Sequence, residues 1–131
     1  MAQSLNSTVE LTTTGVSYLG MGGKVGKFLL GNKGLEFYSN ANVEDYIQIP
    51  WENIEKIGAN VSRNKVSRHF EVFTDKGKFL FASKDSGKIL KVARQHIGND
   101  KVVRMLTLVQ VLMKKLTIFV KKTILKMLLS L

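Results

Sequence analysis

Short segments of alternating apolar and polar residues, separated by glycine-containing turns, dominate the first 82 residues. The clearest pair, residues 27–30 and 35–38, flanks the turn sequence GNKG, whose glycine and asparagine residues are expected to supply positive φ. A second pair, residues 66–74 and 78–82, flanks the turn sequence DKG. A period of two on either side of a turn is typical of β-hairpins. The pattern therefore predicts antiparallel strands through this part of the chain.

Weaker strand patterns cover residues 9–13, 17–19 and 43–49, and Pro50 is expected to end the last of these because proline cannot donate a ladder hydrogen bond. Trp51, Ile54 and Ile57 are three residues apart, which fits either one helical turn or the start of a strand. The aromatic residues follow the strand period, which favours a place in the core over stacking on nucleic-acid bases; they are Tyr46, Trp51, Phe70, Phe73, Phe79 and Phe81.

The periodicity changes at Ser83, which is expected to cap a helix with Asp85 in its first turn. Ile89, Leu90, Ala93 and Ile97 then form one apolar stripe, and Gly98 is expected to end the helix. Strands followed by one amphipathic helix predict an α+β domain over residues 1–100.

Residues 101–131 form a second predicted region, a basic amphipathic helical tail. They contain seven basic residues and no acidic residue, and 19 of the 31 are Val, Ile, Leu, Met or Phe. At about 100° per residue, Leu108 and Val109 join other apolar residues on one face, with Gln110 opposite. A cationic amphipathic helix fits the surface of an anionic membrane, whereas the alternative is a helix packed on the domain or on a partner. The residues predicted to bind the membrane are Leu112, Lys114, Lys115, Leu116, Phe119, Lys121, Lys122 and Lys126.

The composition argues against several classes of function. There is no cysteine and there are only two histidines, so we expect neither a metal site nor a cofactor, and no catalytic activity. His69 is predicted on the polar face of a strand and His96 near a helix C-terminus, and we interpret both as structural. The N-terminal sequence is unlike a signal peptide, and the longest uncharged stretch of the tail has nine residues. A bilayer span needs about 18, so we expect a cytosolic protein that is peripherally associated with the inner face of the membrane.

Residues 20–27 form a glycine-rich loop that invites a phosphate-binding interpretation. A P-loop needs glycine where Met21 stands and a hydroxyl residue where Phe28 stands, and a dinucleotide fingerprint needs glycine in place of Val25. The pattern favours an ordinary turn. The remaining interpretation is a contact loop for an acidic or phosphate-bearing partner, formed by Gly22, Gly23, Lys24 and Lys27.

Three longer segments resemble bacterial pleckstrin-homology or GRAM-like domains: residues 28–38 (FLLGNKGLEFY), residues 46–57 (YIQIPWENIEKI) and the 66–82 hairpin. More specifically, SYLGMGGKVGK (17–27), IPWENI (49–54) and FLFASKDSGK (79–88) resemble the ManO-type family, which is encoded beside mannose-type phosphotransferase transporters. The resemblance implies an antiparallel β-barrel or sandwich capped by a helix. It also implies a non-enzymatic accessory or regulator whose partners are the transporter's membrane subunits.

Two other function classes stay open at this point. The net charge of +10 would suit a DNA-binding regulator of the transporter operon. However, the charge is concentrated in an apolar tail and no helix-turn-helix pattern is visible, so a nucleic-acid partner is disfavoured. The other alternative is a plain lipid-binding module without a protein partner.

Overall fold

The structure is a computed structural model that describes residues 3–18, 22–42, 44–105 and 108–130, leaving the side chains of residues 108–111 aside. Predictions made for Leu19, Gly20, Met21 and Val43, and for the side chains of Leu108, Val109 and Gln110, therefore lie outside the described part. The elements are β1 (Val9–Ser17), β2 (Lys24–Gly31), β3 (Gly34–Ser39), β4 (Tyr46–Pro50), β5 (Ile54–Ser62), β6 (Lys65–Thr74), β7 (Gly77–Ala82), α1 (Ser86–Ile97), β8 (Val102–Arg104) and α2 (Leu108–Leu129).

Both predicted hairpins are present, as β2–β3 and β6–β7. The first turn differs from the expectation, because no residue from 31 to 34 has positive φ. Glycine is needed there for close approach instead, since a Cβ on Gly34 would collide with the carbonyl oxygen of Ile49 on β4. In the second hairpin Gly77 does adopt positive φ, at 125°. The segment at Trp51 combines both predicted alternatives: a 3₁₀ turn over Trp51–Asn53 leads directly into β5.

The strands form one eight-stranded sheet in the order β4-β3-β2-β1-β7-β6-β5-β8. β8 runs parallel to β5, so the sheet is mixed and the expectation of a purely antiparallel sheet is wrong. Within the described residues, β4 forms one edge of the sheet and β8 forms the other, and these two edge strands do not pair. The strand order therefore does not support the expected closed barrel. β1 joins the two halves: it pairs along its length with β2, but with β7 only through Val16 and Ser17.

Aromatic contacts show that the open sheet curls back on itself. Phe28 on β2 and Phe70 on β6 are three strands apart in the sheet order, which would separate them by about 14 Å in a flat sheet. Their ring centroids are only 5.9 Å apart, and those of Phe37 on β3 and Phe81 on β7 are 6.1 Å apart. The two halves of the sheet therefore face each other across a shared aromatic core.

α1 covers the remaining side of this core with the predicted stripe. Ile89, Leu90 and Ala93 are buried, and Gly98 ends the helix at a φ of 97°. The helix begins at Ser86, three residues after the predicted cap, because Ser83 has another role. The Ser83 hydroxyl donates to the carbonyl oxygen of Thr14 and accepts from the Asp85 amide, so it shapes the loop before the helix. These observations confirm the α+β class.

Trp51 completes the core at the far end of α1. It is 7% exposed, and its Nε1–H donates to the carbonyl oxygen of Gly31 over 2.8 Å. The other aromatic residues predicted for the core differ in burial. Phe70 and Phe81 are fully buried, while Phe73 and Phe79 are half-buried. Tyr46 is 39% exposed and is not a core residue, because it stacks with Tyr38 on the outer face of the sheet.

The predicted boundary at residue 100 falls in a short 3₁₀ turn over Asn99–Lys101. β8 follows this turn, and the amide of Met105 donates to the carbonyl oxygen of Ala59 on β5. The sheet therefore extends past the predicted boundary through β8, and a truncation that preserves β8 and the Met105 hydrogen bond must cut after Met105.

Candidate functional site

The glycine-rich loop lies at the end of the β1–β2 hairpin, where its predicted contact residues are exposed. Gly22 adopts a φ of 91°. A Cβ on Gly23 would lie 2.7 Å from Val16 Cγ1 and 3.1 Å from the Tyr18 ring, so only glycine can pack against that ring without displacing it. Lys24 forms an ion pair with Asp45 from the β3–β4 loop, which engages part of its charge within the protein. Lys27 is exposed further along β2.

Beside this loop is a second feature, which the sequence did not predict and which we call the Tyr18 cleft. It is an open depression of about 330 Å³ where β1 separates from β7; its walls include Tyr18, Arg68, His69, Ala82, Ser83 and Lys84. The rings of Tyr18 and His69 stack with their centroids 5.8 Å apart and an interplanar angle of 30°. His69 is on the solvent face of β6, as predicted from the strand alternation.

His96 occupies a structural position at the end of α1. Its ring lies parallel to that of Trp51, with centroids 4.8 Å apart, and its Nε2 is 2.9 Å from Oε1 of Glu10 on β1. These contacts attach the last turn of α1 to the sheet. They agree with the interpretation of His96 as a structural residue.

A buried carboxylate on the outer face of the sheet holds the N-terminal segment. Glu36 on β3 is fully buried, and its carboxylate accepts from the Ser4 hydroxyl and the backbone amides of Leu5 and Asn6. Two further donors are Asn6 Nδ2 and the Tyr38 hydroxyl. Burial, and then the hydrogen bond to Glu36, raise the pKa of Tyr38. With five donors directed at it, this carboxylate is a structural anchor.

α2 presents the other surface that the sequence predicted. The predicted apolar residues Leu112, Leu116 and Phe119 are 57%, 54% and 66% exposed. At about 100° per residue, all five lysines of α2 fall within an arc of about 140°. The rest of the helix surface holds eight large apolar residues: Leu112, Met113, Leu116, Phe119, Val120, Ile124, Met127 and Leu128. Ile118, Leu125 and Leu129 interrupt the lysine arc, so the separation of the two faces is incomplete.

Among the residues that the structure describes, no group of three or more His, Asp or Glu side chains is placed to hold a metal ion. In the same residues, α2 included, no helix combines the length and the apolar character needed to cross a bilayer.

Comparison with known proteins supplies the family. A family model described as Domain of unknown function (DUF956) matches residues 1–116. The chain belongs to this family. The matched residues include the whole sheet and α1. The match ends inside α2, so the second half of α2 in this DUF956 protein lies outside the matched region.

Structural similarity supports the fold of this DUF956 protein. The C-terminal domain of an unknown protein from Leishmania infantum matches 69% of this chain and 84% of its own, at 15% identity and a TM-score of 0.59. The hSac2 domain from human phosphoinositide phosphatase Sac2 matches 76% of this chain and 78% of its own, at 15% identity and a TM-score of 0.46. The second similarity is too weak to carry an argument. No curated protein matches the sequence.

Proposed function

We propose that this DUF956 protein is a non-catalytic accessory or regulator of a mannose-type phosphotransferase transporter, and that it docks at the inner face of the membrane. In this proposal the folded part is a pleckstrin-homology or GRAM-like module. Seven consecutive antiparallel-paired strands followed by one amphipathic helix support that comparison. The link to the transporter depends on the resemblance of residues 17–27, 49–54 and 79–88 to the ManO-type family.

The observation that carries the membrane part is the surface of α2. Eight large apolar side chains occupy one side of this helix. Five lysines and no acid occupy the other side, where Ile118, Leu125 and Leu129 interrupt them. An amphipathic helix of this kind inserts its apolar side between lipid headgroups and keeps its lysines at the anionic surface. Each lysine near such a surface contributes about 1 kcal/mol of binding free energy.

Alone, α2 would give weak and reversible attachment. It would also raise the concentration of the folded part near membrane proteins, so weak docking by the sheet and its loops would suffice for the complex. The predicted contacts for that docking are all exposed, and Lys24 among them is also paired with Asp45; they are Gly22, Gly23, Lys24 and Lys27. The mechanism is that of an adaptor, in which two weak attachments act together.

The membrane part is tested by vesicle co-sedimentation of the full chain. Vesicles of phosphatidylcholine mixed with phosphatidylglycerol should bind the protein at low salt, and phosphatidylcholine vesicles should bind it far less. The α2 variant, with Gln at Lys114, Lys115, Lys121 and Lys122, should lose up to about 4 kcal/mol of binding free energy. The matched control places Gln at the exposed Lys65, Lys76, Lys88 and Lys91 of the folded part and removes the same charge.

The control distinguishes the position of the lysines from the overall charge, because both variants have the same net charge. Equal loss in the two variants would show that only overall charge matters, and the role assigned to α2 would be wrong. Truncation after Met105 keeps β8 and should release more protein than the α2 variant, since the apolar contribution is lost as well.

The transporter part needs a separate measurement. Vesicles that contain a purified mannose-type transporter should bind more full-length protein than empty vesicles of the same lipid composition. Substitution of Lys27 by Glu in the predicted contact loop should reduce that excess and leave binding to empty vesicles almost unchanged. Equal binding to both vesicle types would contradict the transporter proposal while leaving the membrane part intact.

A further inference from the structure

The Tyr18 cleft has a positive lining with no opposing acid. Arg68 from β6 and Lys84 from the β7–α1 loop are both exposed and both line it, and no Asp or Glu is among its lining residues. Within the part of the chain that the structure describes, neither cation forms an ion pair. Asp85, the neighbour of Lys84, is not among the lining residues, and its Oδ2 accepts from the Thr13 hydroxyl over 2.6 Å.

The cleft also has an aromatic wall. The rings of Tyr18 and His69 form it, with their centroids 5.8 Å apart, and Tyr18 is 37% exposed. Gly23 lies near the edge of the Tyr18 ring, since a Cβ at this glycine would be 3.1 Å from that edge. The floor is backbone and small side chains: β1 and β7 approach so closely that a Cβ on Gly15 would collide with the carbonyl oxygen of Ala82.

From these features we infer that the Tyr18 cleft binds a phosphate monoester. A guanidinium and an ammonium group provide the strong, charge-assisted hydrogen bonds that a doubly charged phosphate accepts. The rings of Tyr18 and His69 then pack against the organic part of the ligand. The cleft volume of about 330 Å³ lies at the lower end of the range for small-molecule sites, which suits a ligand of this size.

The phosphate could belong to a molecule in solution or to a lipid headgroup, since the recognised group is the same. The site differs from the membrane-binding face of α2 in every residue. Its test is therefore independent of the function proposed above.

The solution arm measures binding of phenyl phosphate to the full chain by calorimetry, with chemical-shift changes at Tyr18 and His69 as the local readout. The Arg68→Gln, Lys84→Gln double variant should weaken binding about tenfold or more, because two charge-assisted contacts are lost. The control, Lys88→Gln with Lys91→Gln, removes the same charge from exposed positions on α1 and should bind normally. Unchanged thermal midpoints would show that both variants are folded.

Two related probes separate the phosphate from the ring. Phenol retains the ring and lacks the anion, so it should bind far more weakly than phenyl phosphate. Benzoate carries a single negative charge on a carboxylate. If benzoate bound as tightly as phenyl phosphate, the assignment to a phosphate monoester would be wrong.

The lipid arm uses phosphatidylcholine vesicles that contain either phosphatidic acid, a phosphate monoester, or phosphatidylglycerol, a diester, at matched surface charge. A preference for phosphatidic acid that the double variant loses and the control keeps would assign the ligand to a headgroup. Binding of phenyl phosphate with the same variant pattern and no vesicle preference would assign it to solution. The inference would be overturned if the wild-type protein showed neither phenyl phosphate binding nor a vesicle preference. It would also be overturned if the double variant and the control responded equally.

Discussion

Glu36→Gln is the substitution that most directly tests how the outer face of the sheet is held. The carboxylate is fully buried and accepts from Leu5 N at 2.7 Å, Asn6 N at 3.1 Å, Asn6 Nδ2 at 3.0 Å and the Ser4 hydroxyl at 2.7 Å. All four of these donors come from the N-terminal segment and are directed at the same atom, Oε1. Glutamine can keep an oxygen at that position, but it removes the charge and replaces Oε2, the acceptor of the Tyr38 hydroxyl, with an NH2 group.

The magnitude follows from the difference between charged and neutral acceptors. A hydrogen bond to a charged group contributes about 1.5–3 kcal/mol, and a neutral one about 0.5–1.5 kcal/mol, so each of the four bonds weakens by about 1 kcal/mol. Burial of a neutral amide costs less than burial of a carboxylate, which offsets part of this loss. We expect the free energy of unfolding to fall by about 2–3 kcal/mol, a large share of the 5–15 kcal/mol typical of a domain.

Urea denaturation measures the loss, and hydrogen exchange locates it. The amides of Leu5 and Asn6 should lose protection in the variant, because their acceptor is weaker, while amides of β6 should keep theirs. Glu55→Gln is the matched control, since Glu55 is exposed on β5 and should change stability by less than about 0.5 kcal/mol. If Glu36→Gln left both the stability and the Leu5 and Asn6 protection unchanged, the anchoring role would be refuted.

Two further predictions concern aromatic residues. Trp51→Ala should lower the free energy of unfolding by about 3–5 kcal/mol. Trp51→Phe should lower it by about 1–3 kcal/mol, because the Gly31 carbonyl loses its donor. An unchanged thermal midpoint for Trp51→Ala would contradict the burial of this side chain. Because folding raises the pKa of Tyr38, its protonated hydroxyl contributes to the free energy of unfolding. This contribution is fully present below the pKa of about 10 that tyrosine has in the unfolded chain, and it is lost as the pH rises through the folded-state pKa. Tyr38→Phe should therefore flatten the alkaline loss of stability, and equal slopes above pH about 10 in urea titrations of both proteins would count against this account.

Local sequence patterns correctly predicted the elements whose structure depends on residues close together in the chain. The β6–β7 hairpin follows from alternation around a turn that needs positive φ at Gly77, and the buried face of α1 follows from the spacing of Ile89, Leu90 and Ala93. β8 could not be found this way. It has three residues, and what makes it a strand is parallel pairing with β5, more than 40 residues earlier in the chain.

Burial of Glu36 was also beyond local patterns. A glutamate between Leu35 and Phe37 is what a half-exposed strand normally shows, with the polar side chain in water. In this structure the water is replaced by residues 4–6, which lie over the outer face and supply four of the five hydrogen bonds. A short polar N-terminal segment gives no periodic signal, so only the three-dimensional arrangement shows that the carboxylate is enclosed.

The Tyr18 cleft illustrates why the candidate site was harder to predict than the surfaces named from sequence. The glycine-rich loop and α2 are continuous segments, and their composition alone makes them stand out. Tyr18, Arg68 and Lys84 come from three separate segments, each of which looks ordinary: a strand end, an exposed strand residue and a loop lysine. Pairing of Val16 with Ala82 and of Ala82 with His69 brings those segments side by side, and the end of the β1–β7 ladder leaves room between them. The unpaired charge at this place is thus a product of strand register, and a shift of β7 by one residue would turn its side chains to the opposite face and remove the cleft.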